Sequence, residues 1–340
     1  MPELNEDVLS WVRATVGRRV RIVDVTPLRD GTYLRVPWLI RMNTRDGPFD
    51  AILKIGSSEP GALRGGVTNV TLRDSFAAEA LGLQIADDHS LPAPRLLGLD
   101  LDGASGGLAI LSTALEGRTG APDSSLMNAF GAAASALHAI PMSTSDGQLR
   151  TRPRPSDDEV FLRKWAAAYQ TASRDQQPQI VQDLLAERPG LPVDGLDERL
   201  LRMTTSTLIQ EAERRILGFT PDDEQAVLVH ADLCSGNTIW SDSGLVGIID
   251  WEDWGVGHYG VDLGNLRFEE SMRFGLAAAD DILRGWQCAS GQDALNVAYW
   301  DLVAALNTPA DLIRWSGGDP TATERRDRFL HAAIERFDRA

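Results

Sequence analysis

Residues 227–240 read VLVHADLCSGNTIW, and residues 245–252 read LVGIIDWE. A short apolar strand leads into a polar loop, a second strand leaves that loop, and a hairpin returns a third strand that ends in a carboxylate. This order predicts that Asp232, Asn237 and Asp250 lie at one end of a small β-unit, where their side chains can converge.

The three converging residue types suit phosphoryl transfer. A carboxylate such as that of Asp232 can orient an attacking hydroxyl group and accept its proton. The amide oxygen of Asn237 and the carboxylate of Asp250, 13 residues further on, can supply hard oxygen ligands to Mg²⁺ on nucleotide phosphates. Each residue alone would be an ordinary turn residue. His-x-Asp-x-x-x-x-Asn followed by an apolar strand ending in Asp is much harder to obtain by chance.

Around this block the chain divides into a β-rich first part and a mostly helical second part. One helix is predicted in the first part, where apolar residues recur every three or four positions. The predicted strands are 20–25, 33–42, 51–55, 95–99 and 108–113, and that helix is 71–86. The later helices are predicted at 124–140, 157–172, 179–187, 196–217 and from Asp262 to the end. Residues 141–155, rich in Ser, Thr, Pro and Arg, are expected to form a mobile loop.

The composition limits the partners and the compartment. The chain has 33 Lys and Arg against 49 Asp and Glu, a formal net charge of −16. Such a surface repels phosphate backbones and anionic lipids, so we predict no nucleic-acid or membrane partner. It would favour small cationic partners, although many solvated proteins are equally acidic without having such partners. Two cysteines, Cys234 and Cys288, cannot form a disulfide framework, and neither a signal peptide nor a membrane span is evident. We predict a cytoplasmic protein, monomeric or dimeric.

The block at 227–252 resembles the catalytic centre of the aminoglycoside phosphotransferase and choline kinase superfamily, the small-molecule relatives of protein kinases. The resemblance implies a bilobal, protein-kinase-like α+β fold, with a small β-rich N-terminal lobe and a larger, mostly helical C-terminal lobe. It implies that Asp232 is the catalytic base and that Asn237 and Asp250 hold Mg²⁺. His230 and Asp262 would fix the backbone of the catalytic loop.

The same resemblance implies a nucleotide site in the N-terminal lobe, residues 1–113, and a catalytic, substrate-binding lobe at 114–340. Lys54 lies inside an apolar strand, where its ammonium group is costly to bury without partners. By resemblance Lys54 contacts the nucleotide phosphates and pairs with Glu79 on the following helix. The crossover containing Ser112 and Ala114 resembles the hinge whose backbone groups bind the base of ATP or GTP.

Three features depart from the family pattern. The loop at 28–33 (LRDGTY) has one glycine, although a glycine-rich loop is expected to cover the phosphates. Ala231 stands where relatives often carry glycine or arginine. Asp250 is followed by Trp-Glu instead of the Phe-Gly of protein kinases, and only 11 residues separate it from Asp262. That interval leaves no room for an activation segment, which favours a small-molecule substrate over a protein.

The predicted activity is ATP- or GTP-dependent and Mg²⁺-dependent transfer of the γ-phosphate to a hydroxyl group of a small molecule. An aminoglycoside-like or other hydroxylated antibiotic is the leading substrate, so that the activity would confer resistance. One alternative is a metabolic kinase for choline, homoserine or a sugar. Another is a catalytically silent, nucleotide-binding pseudokinase, which is disfavoured because the expected lysine, base and metal ligands are all present.

The substrate residues are predicted from the acidic and aromatic side chains around and after Asp250. Carboxylates next to aromatic faces suit an ammonium group through ion pairing and cation–π contact. The candidates are Glu252, Asp253, Trp254 and Glu269. A packed core tryptophan and solvated acidic helix faces form the competing interpretation. Cys234 lies between the predicted base and Asn237. A nucleophilic role for Cys234 is disfavoured because no histidine other than His230 is near it in sequence to activate the thiol, and the resemblance gives this position no role.

Overall fold

The computed structural model describes residues 4–17, 19–28, 37–56, 72–121, 123–143, 145–148, 157–203, 206–221, 226–307, 312 and 317–339. Almost all of the predicted phosphate-covering loop at 28–33 therefore lies outside the described residues. No described helix is long and apolar enough to cross a membrane.

The N-terminal part is a five-stranded antiparallel sheet with the order β1-β2-β3-β5-β4. Its strands are β1 (Arg21–Pro27), β2 (Pro37–Thr44), β3 (Gly47–Gly56), β4 (Leu96–Asp100) and β5 (Leu108–Thr113). Side chains alternate between the two faces of a strand, and β5 is buried on both. Ala109 and Leu111 belong to the core on one face, and Leu108 and Ile110 belong to the core on the other.

Helix α1 (Glu6–Val16) covers the first of these faces with Val8 and Val12, and the sequence prediction missed it. The helix has a recognisable start, because the side chain of Asn5 accepts a hydrogen bond from the N–H of Val8 at 2.9 Å. The helix ends at Gly17, which has a φ of 138°.

Helix α2 (Leu72–Asp88) covers the second face and connects the sheet to the site. Phe76 and Leu83 are buried in a core that also contains Trp251 and Trp254, more than 160 residues later in the chain. The N-terminal sheet and the later residues around the site therefore share one hydrophobic core.

The rest of the chain is mostly helical. Helices α3 (Met127–His138), α4 (Asp157–Thr171), α5 (Gln177–Glu187), α6 (Leu196–Arg202) and α7 (Thr207–Leu217) precede the block at 227–252. Helices α8 (Gly260–Phe274), α9 (Leu276–Ser290), α10 (Val297–Leu306) and α11 (Ala322–Phe337) follow it. The helix predicted at 196–217 is thus two helices. The predicted α+β architecture, with a β-rich N-terminal part and a mostly helical C-terminal part, is confirmed, whereas the boundary at 113 stays a prediction.

Residues 227–257, together with one short earlier strand, form two small sheets within the helical part. Strand β7 (Val227–Val229) pairs with β10 (Gly255–Gly257). Strands β6 (Arg118–Thr119), β8 (Thr238–Ser241) and β9 (Gly244–Ile248) form the other sheet, in the order β6-β8-β9.

The segment expected to be a mobile loop is anchored where it is described. The N–H of Met142 donates to the carbonyl oxygen of Ala226 at 3.1 Å. The N–H of Val256 donates to the carbonyl oxygen of Gln148 at 2.9 Å. Its residues 149–155 lie outside the described residues.

Candidate active site

The loop between β7 and β8 is held at its beginning by Asp262 on α8. The carboxylate of Asp262 accepts hydrogen bonds from the N–H groups of His230 and Ala231, both at 2.7 Å. It also accepts one from Nε2 of His138 at 3.2 Å, while Nδ1 of that ring accepts from Trp286 Nε1 at 3.0 Å. Burial alone would raise the pKa of Asp262, but the hydrogen bonds that it accepts lower the pKa below its usual value. A fixed, ionised carboxylate therefore holds the beginning of the loop.

Two further side chains on α8 contact the same loop, and the sequence prediction did not assign them this role. Asn265 Nδ2 donates to the carbonyl oxygen of Leu233 at 3.2 Å, and Glu270 accepts from the N–H of Ser235 at 3.0 Å. A usable signal was present, since residues three and eight positions after Asp262 lie on the same side of a helix.

Ala231 has a φ of 64°, in the left-handed region that favours glycine. The hydrogen bond from its N–H group to the Asp262 carboxylate holds Ala231 in this conformation. Alanine at this position therefore has a structural cost relative to glycine, because a Cβ in this conformation costs about 1–2 kcal/mol.

Replacing Ala231 with glycine is expected to raise the free energy of unfolding by about 0.5–1 kcal/mol, since the relief of strain exceeds the entropy that glycine gains in the unfolded chain. Chemical unfolding followed by circular dichroism measures the change. Ala77→Gly within α2 is the matched control and should lose about 1 kcal/mol. A loss of stability in both variants would contradict the strain assigned to Ala231.

Asp232 and Asn237 are directly hydrogen-bonded. Asn237 Nδ2 donates to both the carbonyl oxygen and Oδ2 of Asp232, each at 2.9 Å. The carbonyl oxygen of Asn237 accepts the N–H of Ile249 at 2.9 Å, and His230 Nε2 donates to the carbonyl oxygen of Ile249 at 3.0 Å. The loop is thereby attached to the residue that immediately precedes Asp250, and His230 fixes backbone as predicted.

Asp250 meets the predicted lysine of the N-terminal sheet. Lys54 Nζ lies 2.6 Å from Glu79 Oε1 and 2.9 Å from Asp250 Oδ1. Burial opposes the charge of Lys54, but the two carboxylates outweigh burial and raise its pKa above the usual value. Lys54 is therefore a fixed cation, and the predicted pairing with Glu79 is present. Asp250 itself has a φ of 66°, which Asp tolerates better than most residues.

The donor set near Asp250 fits Mg²⁺ bound together with nucleotide phosphates. Because Asn237 Nδ2 is used in two hydrogen bonds to Asp232, its Oδ1 is the atom available as a metal ligand. The Asp250 carboxylate is one-third exposed. Among the described residues there is no cluster of three or more His, Cys, Asp or Glu that could hold a metal ion. Mg²⁺ that takes its remaining ligands from phosphates and water needs no such cluster.

Glu252 and Trp254, predicted as substrate residues, pack against α2. Ser75 Oγ donates to Glu252 Oε2, and Glu252 is buried. Trp254 Nε1 donates to the carbonyl oxygen of Ala78 at 2.7 Å. These contacts fix α2, and with it Glu79, on the turn after Asp250. The geometry thus gives both residues a packing role and lends their substrate role no support.

Asp253 and Glu269 are both half-buried and stay predictions as substrate residues. Glu269 lies near the catalytic loop. Burial, followed by the charges of Asp232 and Glu269, raises the pKa of the Cys234 thiol to about 12. A thiol that is protonated at neutral pH is a poor nucleophile, which agrees with the prediction that Cys234 is not catalytic.

The predicted hinge residues are partly engaged by the sheet. Ser112 lies in β5 opposite Ile52 of β3 and Leu96 of β4. The N–H of Ala114 donates to the carbonyl oxygen of Asp50 at 3.0 Å. A contact from Ala114 to a nucleotide base would therefore use its carbonyl oxygen, and both hinge residues stay predictions.

The five-stranded sheet, the helical part and the Lys54–Glu79 pair together match a protein-kinase-like fold. A family model of the phosphotransferase enzyme family, APH, matches residues 68–300. The chain belongs to this family, so the prediction of the superfamily and of a small-molecule kinase is confirmed.

Solved structures share the fold at low sequence identity. Macrolide 2'-phosphotransferase MphH from Brachybacterium faecium, as apoenzyme, is 16% identical with a TM-score of 0.54, and the match covers 96% of this chain and 98% of that one. Choline kinase LicA from Streptococcus pneumoniae is 17% identical with a TM-score of 0.51, covering 97% and 99%. ADP-bound aminoglycoside phosphotransferase APH(2'')-Ib is 15% identical with a TM-score of 0.50, covering 96% and 97%. No curated protein matches the sequence.

Proposed function

We propose that the chain transfers the γ-phosphoryl group of ATP or GTP to a hydroxyl group of a small molecule in a Mg²⁺-dependent reaction. The observation that carries this proposal is the 2.9 Å hydrogen bond from Asn237 to the Asp232 carboxylate, next to an Asp250 that is ion-paired with Lys54. It supports the proposal because one carboxylate can receive an acceptor hydroxyl group while separate oxygens lie nearby for a metal ion.

Each residue would have a distinct role. Asp232 would orient the acceptor hydroxyl group and take its proton as the new P–O bond forms. Lys54, held by Glu79, would bind phosphate oxygens. Mg²⁺ held by Asn237 and Asp250 would offset the negative charge of the phosphates. Residues 1–113 would bind the nucleotide, with the crossover at Ser112 and Ala114 next to its base, and residues 114–340 would bind the acceptor.

We infer that the acceptor is a hydroxylated antibiotic carrying an amine. Two half-buried carboxylates, those of Asp253 and Glu269, support a cationic acceptor. The formal net charge of −16 supports the same class and disfavours nucleic acid or an anionic membrane as a partner. We also propose that the protein acts in the cytoplasm, where nucleoside triphosphates are present, as a monomer or a dimer.

A nucleotide-consumption screen of the purified protein tests the proposal. ATP and GTP are each supplied with Mg²⁺ against two panels, one of aminoglycoside and macrolide antibiotics and one of choline, homoserine and sugars. Each hit is checked by mass spectrometry for one added phosphate. Phosphorylation confined to the antibiotic panel is the expected result. Phosphorylation confined to the metabolite panel would overturn the inferred acceptor, and tight nucleotide binding without turnover would overturn the kinase assignment in favour of a silent module.

A further inference from the structure

Glu270 is a fully buried carboxylate whose position next to the catalytic loop needs a reason, because burying a charge is costly without compensating contacts. Its Oε1 accepts the N–H of Ser235 at 3.0 Å. Ser235 is the first residue of the 3-10 turn Ser235–Asn237. The first N–H groups of a helical turn have no partner within the turn, so Glu270 supplies one that the loop lacks.

The turn capped by Glu270 ends on Asn237. The N–H of Asn237 closes the turn on the carbonyl oxygen of Cys234 at 3.0 Å. Thr238 Oγ1 donates to the carbonyl oxygen of Ser235 at 2.9 Å, which holds the turn from its other side. Since only Gly236 separates Ser235 from Asn237, we expect a shift at Ser235 to displace the Asn237 side chain.

The second oxygen of Glu270 is linked through Arg273 to the residues directly after β6. Glu270 Oε2 lies 3.3 Å from Nη1 of Arg273, which is 44% exposed, and Arg273 Nη2 donates to the carbonyl oxygen of Ala121 at 3.3 Å. The N–H of Gly120 donates in turn to the carbonyl oxygen of Thr238 at 2.9 Å. Arg273 thus holds Oε2 of Glu270 while Oε1 holds the loop.

We propose that Glu270 is a positioning residue that sets the affinity of the site for Mg²⁺ by fixing the Ser235–Asn237 turn. This inference rests on the proposed function, in which Asn237 is a metal ligand. Residues that orient metal ligands typically contribute 10- to 100-fold to metal affinity, and Glu270 acts on Asn237 in this way through the backbone.

The test measures ADP binding by isothermal titration calorimetry across a Mg²⁺ series, together with the melting temperature. Glu270→Leu removes the acceptor, and the Mg²⁺ concentration that gives half-maximal binding should rise about tenfold or more. Glu270→Gln retains an acceptor oxygen, and this concentration should stay within about threefold of wild type. If Glu270→Leu does not fold, Glu270→Asp replaces it, since the shorter side chain withdraws the acceptor and should also raise the Mg²⁺ requirement.

Glu213→Gln is the matched control. Glu213 on α7 is likewise fully buried and lies 2.6 Å from Arg163, but α7 packs on α10 and α11. This variant should lower the melting temperature and leave the Mg²⁺ requirement unchanged. If Glu270→Leu behaved like this control, Glu270 would be structural only and the inference would be overturned. A wild-type protein whose nucleotide binding ignores Mg²⁺ would instead overturn the proposed function, and the inference with it.

Discussion

Asp232→Asn is expected to lower kcat by a factor of about 10²–10⁴, the range that a general base contributes, while nucleotide affinity stays close to wild type. The substituted amide keeps an oxygen that can accept the hydrogen bond from Asn237 Nδ2, which spans 2.9 Å in the structure. The geometry of the loop should therefore survive, and only the ability to accept a proton is lost. Turnover is measured on the acceptor that the screen identifies, and nucleotide affinity by calorimetry.

Cys234→Ala is the control for this experiment. Cys234 lies two residues from Asp232 on the same loop, and its thiol, with a pKa of about 12, is protonated at neutral pH. Its replacement should leave kcat within about threefold of wild type, because a half-buried neutral thiol contributes packing and no charge. If Cys234→Ala were as impaired as Asp232→Asn, covalent catalysis by Cys234 would be favoured. If Asp232→Asn had normal turnover, Asp232 would not be the base.

The features that the sequence predicts well are local. The motif at 227–250 constrains its own loop and hairpin, so the convergence of Asp232, Asn237 and Asp250 follows from neighbouring residues and short turns. The period of the apolar residues in α2 likewise predicts a helix, and the helix is present at Leu72–Asp88.

The features that the sequence does not predict depend on distant partners. Ser75 and Glu252 are 177 positions apart, and nothing in their local pattern indicates their contact. The acidic and aromatic side chains around Glu252 were compatible both with a substrate site and with packing. The choice between these depends on where α2 lies. The sequence alone does not distinguish a buried carboxylate such as that of Glu270 from a solvent-exposed one, because burial depends on how the helices pack together.

Asp250→Ala is expected to weaken Mg²⁺–nucleotide binding by about 100-fold or more, because even residues that only support a metal ligand contribute 10- to 100-fold. Nucleotide binding in the presence of EDTA should stay within about threefold of wild type. Lys54 keeps Glu79 at 2.6 Å as its partner in the variant, so it remains a cation that can bind phosphate. The ratio of the dissociation constant in EDTA to that in Mg²⁺, which measures how strongly Mg²⁺ promotes binding, should therefore fall steeply.

Asp242→Ala is the matched control for that ratio. Asp242 lies on the hairpin turn between β8 and β9, and its side chain is 99% exposed with Arg118 at 3.2 Å. An exposed ion pair of this kind contributes little to stability, and its loss should change neither dissociation constant. If Asp250→Ala kept the wild-type ratio, Asp250 would serve only to hold Lys54. If both constants rose equally, the substitution would have disturbed the phosphate site as a whole. If Asp250 holds Mg²⁺ beside the nucleotide, only the dissociation constant measured with Mg²⁺ should rise, while the one measured with EDTA should stay near wild type.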